Sequence, residues 1–317
     1  MAIREITYGS HEEWLELRKG FIGGSDAGAV MGMNPYSSPF AVWAEKTGKV
    51  EGFAGNLTTK VGAYLEDLVA QLFTEETGKK VRRKNKMMVN TDYPWACADV
   101  DRMVVGEKAL LEIKTTNSFP AMKKIRGGEY PEQWYCQMTH YLAVTGLEKA
   151  YLAVLINCRD FKVFELDRDE DEIRTLMNTE RAFWESVEAE IPPEGIDGSA
   201  ATTEALGAMF PEGNGETVSL FNASRLLEQM DRILAIKKTL EVEVDEINNQ
   251  IKAEMGDNER AVCDRWTVTW KSQIRSTFDR KAMERDHPEI DLDHYYKTTA
   301  SRVFRVAENK NKEDKTS

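Results

Sequence analysis

Between residues 58 and 190 the apolar spacing switches from helical to strand-like and back, and this alternation constrains the fold more than any other feature. Val61, Leu65, Leu68 and Leu72 recur in steps of four and three, as on one face of a helix over 58–77 that Gly78 would stop. Short runs rich in β-branched and aliphatic residues follow at 87–90, 96–105, 109–114, 150–156 and 161–166. Gly106-Glu107-Lys108 separates the second from the third and reads as a hairpin turn. Pro131 opens a further helix that runs to about Gly146, and another fits 170–190. Helices interleaved with short strands predict an α/β core, a sheet flanked by helices.

From Ile191 the composition turns to Pro192-Pro193, glycines and small residues through Gly215, which predicts a connector over 191–218 after a core over 1–190. Periodicity then returns. Leu226, Met230, Ile233, Lys237, Leu240, Val244, Ile247 and Ile251 alternate steps of four and three, the seam of a coiled coil or a long packed helix, interrupted once by Lys237. Its partner is a segment of the same chain or of another chain. Residues 260–271 alternate like a hairpin strand, 278–286 like a short helix and 301–306 like a final strand, giving an appendage over 219–307, α-helical with a small α+β part. The charged stretch 308–317 is expected to be a disordered tail.

Hydrophobic residues at 41% and charged residues at 30% suit a globular chain. No run of 18 apolar residues occurs, and the first ten residues lack the basic and apolar regions of a signal peptide, so a cytoplasmic protein is expected and no membrane partner. Four cysteines are scattered, without a Cys-x-x-Cys pair, which argues against a zinc site. A net charge of −12 argues at first against nucleic acid, but residues 161–216 carry 15 acidic and 4 basic side chains, a net of −11. Elsewhere cations gather: Lys79 to Lys86 reads KKVRRKNK, and Lys123, Lys124 and Arg126 form a second cluster.

The chemistry points to one hairpin. Glu112 and Lys114, two apart on a strand, share a face, and pairing across the hairpin can bring Asp101 to it. Two carboxylates there, helped by the Ile113 carbonyl, suffice for Mg²⁺, with Mn²⁺ as a possible substitute. Lys114 is placed to orient a nucleophile or stabilise charge on a phosphate. The apolar setting of Ala109, Leu110, Leu111 and Ile113 makes unpaired charges costly, so a metal or partner is expected. Glu66 lies one turn after Gly62, which leaves room on that helix face. Gln137 and Tyr141 are i and i+4 on the next helix, the spacing of a surface hydrogen bond as well as of a site. Gly23-Gly24-Ser25 before a short helical stretch can present an anion site with Arg18, or be a turn and cap.

These residues together resemble the YqaJ-type viral recombinase nucleases, relatives of the phage lambda exonuclease within the PD-(D/E)xK superfamily. The match runs in order: Ile22-Gly-Gly-Ser-Asp-Ala27 with Gly32-Met-Asn-Pro35, Gly62 to Glu66, Asp101 with Glu112-Ile-Lys114, and Gln137-x-x-x-Tyr141. It is firm over residues 18–146 and weaker to 190. Asp101 is followed by Arg102 where many superfamily members carry glycine, and Asp99 offers an alternative metal ligand. The resemblance implies a PD-(D/E)xK core with a central mixed sheet, and a 5′ to 3′ exonuclease acting on double-stranded DNA ends. It further implies a homo-oligomer, a ring trimer, working with a single-strand annealing protein in phage-type recombination in a bacterial host. Glu66, Asp101, Glu112, Lys114, Gln137 and Tyr141 would be catalytic, Asp101, Glu112 and Ile113 would hold the metal, and Arg18 and Ser25 the 5′-terminal phosphate. An endonuclease on the same core, or a DNA-binding assembly module without catalysis, are the competing readings.

Overall fold

The computed structural model describes residues 2–221, 223–297 and 302–306. The chain forms two compact units, Met1–Pro211 and Glu212–Ser317.

The first unit is α/β. Its strands are β1 (Ile3–Ile6), β2 (Ile22–Gly23), β3 (Val81–Arg82), β4 (Met87–Asn90), β5 (Tyr93–Ala98), β6 (Arg102–Val104), β7 (Ala109–Thr116), β8 (Lys149–Ile156) and β9 (Asp160–Asp167). Its helices are α1 (His11–Lys19), α2 (Gly24–Val30), α3 (Pro39–Lys46), α4 (Leu57–Thr77), α5 (Phe119–Arg126), α6 (Glu132–Thr145), α7 (Glu170–Glu188) and α8 (Ala200–Met209). A five-stranded sheet runs β3-β6-β7-β8-β9, and a four-stranded sheet runs β1-β4-β5-β2. Both are mixed: β7 and β8 pair in parallel, as do β2 and β5, and the other neighbours are antiparallel. The hairpin at Gly106 is present, with Gly106 at φ +84° and Arg102 opposite Leu111.

One expected strand is two. Residues 96–105 divide into β5 and β6, which belong to different sheets, and Asp99, Val100 and Asp101 make the crossing between them. Asp99 and Asp101, two residues apart, therefore do not share one face as they would along a single strand.

Helix α4 starts at Asn56, whose side chain accepts from the Thr59 amide at 3.0 Å, and stops at Gly78 with φ +72°. Its inner row differs from the expected stripe. Val69 and Phe73 are fully buried against strand residues such as Leu111, Tyr151 and Ala153, while Val61 and Leu68 are 45% and 46% exposed. Leu65 and Leu72 of the expected stripe do pack on this cluster, while Gly62 and Glu66 continue the row of Val69 and Phe73 and line the site.

Helix α6 is buried along residues 136–145 and ends at Gly146 with φ +68°. Its His140, wholly buried, lies 2.8 Å from Glu180 of α7 and 2.8 Å from the Cys97 carbonyl of β5. Helix α2 lies directly on it. A Cβ at Gly24 would fall 2.4 Å from the Tyr141 ring, and one at Gly28 would fall 2.7 Å from Gln133, so the two glycines are what permit the approach.

Within the stretch expected as a connector, α8 packs on α3: Ala205 joins the cluster of Phe40 and Trp43, and Ser38 and Thr202 hydroxyls meet at 2.7 Å. The unit boundary accordingly falls after Pro211 rather than at 190.

The second unit contains the expected long helix, α9 (Ala223–Met255). Its heptad seam is open. Ile233, Leu240, Val244 and Ile247 are each between 54% and 56% exposed, so nothing among the described residues covers it, and Met255 is the buried residue of the helix. Residues 260–271 form a hairpin of β10 (Arg260–Cys263) and β11 (Trp266–Thr269) rather than one strand, followed by α10 (Arg280–Asp286). Residues 302–306 are not a strand, and Ser301 and the tail over 308–317 lie outside the described residues.

Candidate active site

Strand β7 places the centre. Leu111 and Ile113 point toward α4 and its apolar cluster, so Glu112 and Lys114 point to the opposite side, toward α6. There Gln137 of α6 holds both: its amide donates to Glu112 Oε1 at 2.8 Å, and its carbonyl oxygen accepts from Lys114 Nζ at 2.9 Å. Lys114 is also 2.8 Å from Glu112 Oε1, and Gln137 donates to the Tyr141 hydroxyl at 3.2 Å. The i, i+4 pair on α6 is thus buried inside the site rather than on a helix surface. Glu112 Oε2, by contrast, is buried with no hydrogen-bond partner.

Asp101 arrives from the crossing between the sheets, its Oδ2 accepting from the Ile113 amide at 2.7 Å. Burial and the neighbouring Glu112 carboxylate push its pKa well above the ordinary value, against the opposing charge of Lys114. Burial raises Glu112 as well. At Lys114 burial works against the charge, but Glu112 and Asp101 outweigh it and its pKa is raised. Two carboxylates crowd one ammonium here, and an added cation would relieve the imbalance. Among the described residues no group of three or more His, Cys, Asp and Glu side chains converges as a metal site. The donors available are two carboxylates, one with an unpartnered oxygen, and backbone carbonyls. That set fits a hard ion that keeps part of its water shell.

Asp99 has other company. Its oxygens accept from the Tyr8 hydroxyl at 3.1 and 3.2 Å and from the Trp14 indole. Its carboxylate is already satisfied by donors from the N-terminal segment, whereas Asp101 faces Glu112.

Glu66 of α4 reaches the same cleft, ion-paired to Arg102. The cleft measures about 700 Å³ and is lined by Glu66, Asp99, Asp101, Glu112, Lys114, Gln137, Tyr141, Arg18 and Ser25 among others. Every expected site residue therefore lies on one cavity wall or another.

At its far end Arg18 Nη2 donates to Ser25 Oγ at 2.9 Å and meets Asp26 Oδ1 at 3.1 Å, with its guanidinium 5.0 Å from the Trp14 ring. Lys46, 1% exposed at its side chain, meets Asp26 Oδ2 at 2.8 Å. Burial alone would raise the Asp26 pKa, but Lys46 and Arg18 hold it down at about 2. Two cations thus share the Asp26 carboxylate beside the Ser25 hydroxyl. Sequence reasoning missed Asp26 and Lys46: the aspartate sits inside the glycine motif, but nothing local signals a lysine from the end of α3.

The basic run over 79–86 is less free than its composition suggests. Lys79 pairs with Glu107, Arg83 with Asp67, and Lys84 and Lys86 with Glu5. Such surface pairs are worth about 0–1 kcal/mol each, so a phosphate can take the place of the carboxylate. In the second cluster Lys124 pairs with Glu132, while Lys123 and Arg126 are exposed at the end of α5.

Comparison with known proteins places the chain. A model of the YqaJ-like viral recombinase domain matches residues 13–148, a span that contains every candidate site residue. The Bacillus subtilis (strain 168) protein YqaJ is 36% identical over 306 residues, covering 94% of this chain and 95% of its own length. Among solved structures, the alkaline exonuclease LHK-Exo from Laribacter hongkongensis superposes with a TM-score of 0.50 at 22% identity, covering 56% of this chain and 93% of that one. The same protein in complex with dAMP gives 0.51 at 23% identity. At these identities the likeness is one of fold, a mixed α/β core flanked by helices.

Proposed function

The chain belongs to the YqaJ-like viral recombinase family, and on that premise we propose that its cleft hydrolyses phosphodiester bonds at the ends of double-stranded DNA, as a divalent-metal-dependent 5′ to 3′ exonuclease. The observation that carries this reading is the unpartnered Glu112 Oε2, buried opposite Asp101 in a cleft that also holds Lys114. A buried carboxylate oxygen without a donor is costly unless a cation completes it.

Asp101, Glu112 and the Ile113 carbonyl would hold the ion, Mg²⁺ by preference and Mn²⁺ as a substitute. When bound, it supplies charge neutralisation at the phosphate and makes an attacking water more acidic. The protein's own groups do the rest. Lys114, steadied by Gln137, stabilises charge on the phosphate oxygens or orients the nucleophile. Tyr141, whose pKa burial and Glu112 push well above its ordinary value, stays protonated and supports Gln137. Glu66 adds its charge at the cleft wall beside Arg102. Arg18 and Ser25 receive a 5′-terminal phosphate, to which the guanidinium offers a planar fork. The exposed seam of α9 supports self-association of the chain. A ring trimer, a single-strand annealing partner and a site of action in the bacterial cytoplasm rest on the family resemblance. No helix of the described residues is long and apolar enough to cross a membrane.

The test is digestion of end-labelled duplex with Mg²⁺, comparing 5′-phosphorylated linear, 5′-hydroxyl linear and covalently closed circular substrates. Release of label from linear ends with the circle left intact is the expected result. Cleavage of the circle would replace the exonuclease by an endonuclease.

A further inference from the structure

Lys46, the last residue of α3, stands behind the candidate 5′-phosphate site without reaching the cleft. Its side chain is 1% exposed, and its ammonium meets Asp26 Oδ2 at 2.8 Å and donates to the Arg18 carbonyl at 3.0 Å. The Gly23 amide donates to the same Oδ2 at 3.0 Å. Arg18 is left with the other oxygen: its Nη2 donates to Asp26 Oδ1 at 3.1 Å and to Ser25 Oγ at 2.9 Å. Among the described residues Asp26 is the carboxylate in contact with this guanidinium, while Glu45 bears on it only at longer range.

The single contact between Arg18 and Asp26 matters because an arginine beside a carboxylate commonly gives it two parallel N–H bonds, fork to fork. A phosphate is held by that same planar fork. Here Asp26 hydrogen-bonds to Nη2 alone, since its second oxygen is claimed from the buried side by Lys46 and Gly23. Without the Lys46 charge, the buried Asp26 carboxylate would have Arg18 as its contacting cation, and a buried anion is costly unless a cation meets it closely. The carboxylate would then turn both oxygens onto Arg18, and an incoming phosphate would have to displace it.

We infer that Lys46 is a positioning residue for recognition of the DNA end: by claiming one oxygen of Asp26 it confines that carboxylate to a single contact with Arg18 and leaves the arginine fork open to a 5′-terminal phosphate. The inference rests on the reading of Arg18 and Ser25 given above. A lysine that only held α3 to α2 would alter stability, and with it the rates on every substrate alike, whereas this role shows in the ratio between two kinds of end.

Single-turnover rates of the full chain with Mg²⁺ on 5′-phosphorylated and 5′-hydroxyl linear duplex test it, with melting curves to establish that each variant is folded at the assay temperature. Wild type should prefer the phosphorylated end. Lys46→Met, which keeps much of the side chain and removes its charge, should lower that preference by about tenfold or more, the scale of one charged hydrogen bond, with little change on 5′-hydroxyl ends. Combining Lys46→Met with Asp26→Asn removes the anion that captures Arg18, so the preference should return toward that of wild type. An unchanged preference in Lys46→Met, an equal loss on both ends, or a double variant no better than Lys46→Met would each overturn the role of Lys46. If Lys46→Met does not fold, the crystal structure of wild type with a 5′-phosphorylated duplex, grown without divalent metal, decides the matter. Asp26 should keep one oxygen on Lys46 and one on Nη2 while the phosphate takes further N–H groups of Arg18, and an Asp26 carboxylate that has left Lys46 would overturn the assignment. A wild type indifferent to the 5′-phosphate would instead overturn the end-recognition reading of Arg18 and Ser25, and the role of Lys46 with it.

Discussion

The amide nitrogen of Gln137 stands 2.8 Å from Glu112 Oε1, and this contact leaves the other carboxylate oxygen of Glu112 buried without a partner. A side chain from α6 thus fixes which oxygen of a β7 carboxylate is available to the cleft. Glu112→Ala and Lys114→Ala should each lower cleavage of linear duplex by orders of magnitude, the usual scale for loss of a metal ligand or charge stabiliser. Duplex affinity, measured by fluorescence anisotropy without metal, should survive in part. A Lys114→Ala enzyme working near the wild-type rate with Mg²⁺ would remove the hairpin from the chemistry.

Asp99 and Asp101 should behave differently although they are two residues apart. Asp101→Asn alters the carboxylate that faces Glu112 and should abolish most activity. Asp99→Asn disturbs a group hydrogen-bonded to Tyr8 and Trp14, so its effect should appear in the melting temperature more than in the rate. The paired measurement is a single-turnover rate beside a thermal melt, and the reverse pattern would exchange their roles.

Arg18→Ala should remove most of the preference for 5′-phosphorylated over 5′-hydroxyl ends, at about 1.5–3 kcal/mol for a charged hydrogen bond. Rates on 5′-hydroxyl ends should barely change. Arg18 also faces Asp26, so an equal loss on both substrates would show that it serves the fold instead.

Asp26 makes a prediction about acid. Its folded pKa, about 2, lies below the ordinary aspartate value of 3.8, so the stability it contributes is present above about pH 4 and is lost as pH falls toward 2. The shift corresponds to roughly 2 kcal/mol. Denaturant melts from pH 5 to pH 2 should show this loss in wild type and lack it in Asp26→Asn, which should be less stable at neutral pH. Parallel curves for the two proteins would mean that the Lys46 and Arg18 contacts carry no net stability.

The α9 seam offers the opposite kind of test, because its residues are exposed in the single chain. Ile247→Asp with Ile251→Asp should leave the chain folded, with unchanged far-UV circular dichroism, because both side chains are exposed on the single chain. Sedimentation velocity should then report a smaller particle than wild type. An unchanged mass would exclude the seam from self-association.

Much of the site was legible because strand alternation is local: Glu112 and Lys114 share a face whatever the rest of the fold does. Gln137 and Tyr141 were readable as a spacing but not as an interior pair, since burial depends on what packs over α6. What stayed hidden was set by distant chain. The turn of α4 was misread because Val61 and Leu68 are apolar yet outward, and the inner row includes a glycine and a glutamate. The division of 96–105 between two sheets leaves no mark in the apolar pattern, as β5 and β6 are both short and buried. Lys46 meets Asp26 only because α3 lies beside α2, and Arg102, visible as a departure from glycine, had no readable partner until α4 was in place.

The crossing between the sheets also dictates where this chain tolerates a change of length. Ala98 is in register with Met88 in one sheet and Arg102 with Leu111 in the other, with only Asp99, Val100 and Asp101 between. One residue more or fewer there would carry Asp101 away from the Ile113 amide or slip a strand by one, which exchanges its inward and outward side chains. A substitution in this segment costs only the group that is lost, the carboxylate of Asp101 or Asp99 or the buried side chain of Val100. Its spacing is not open, because both sheets anchor it.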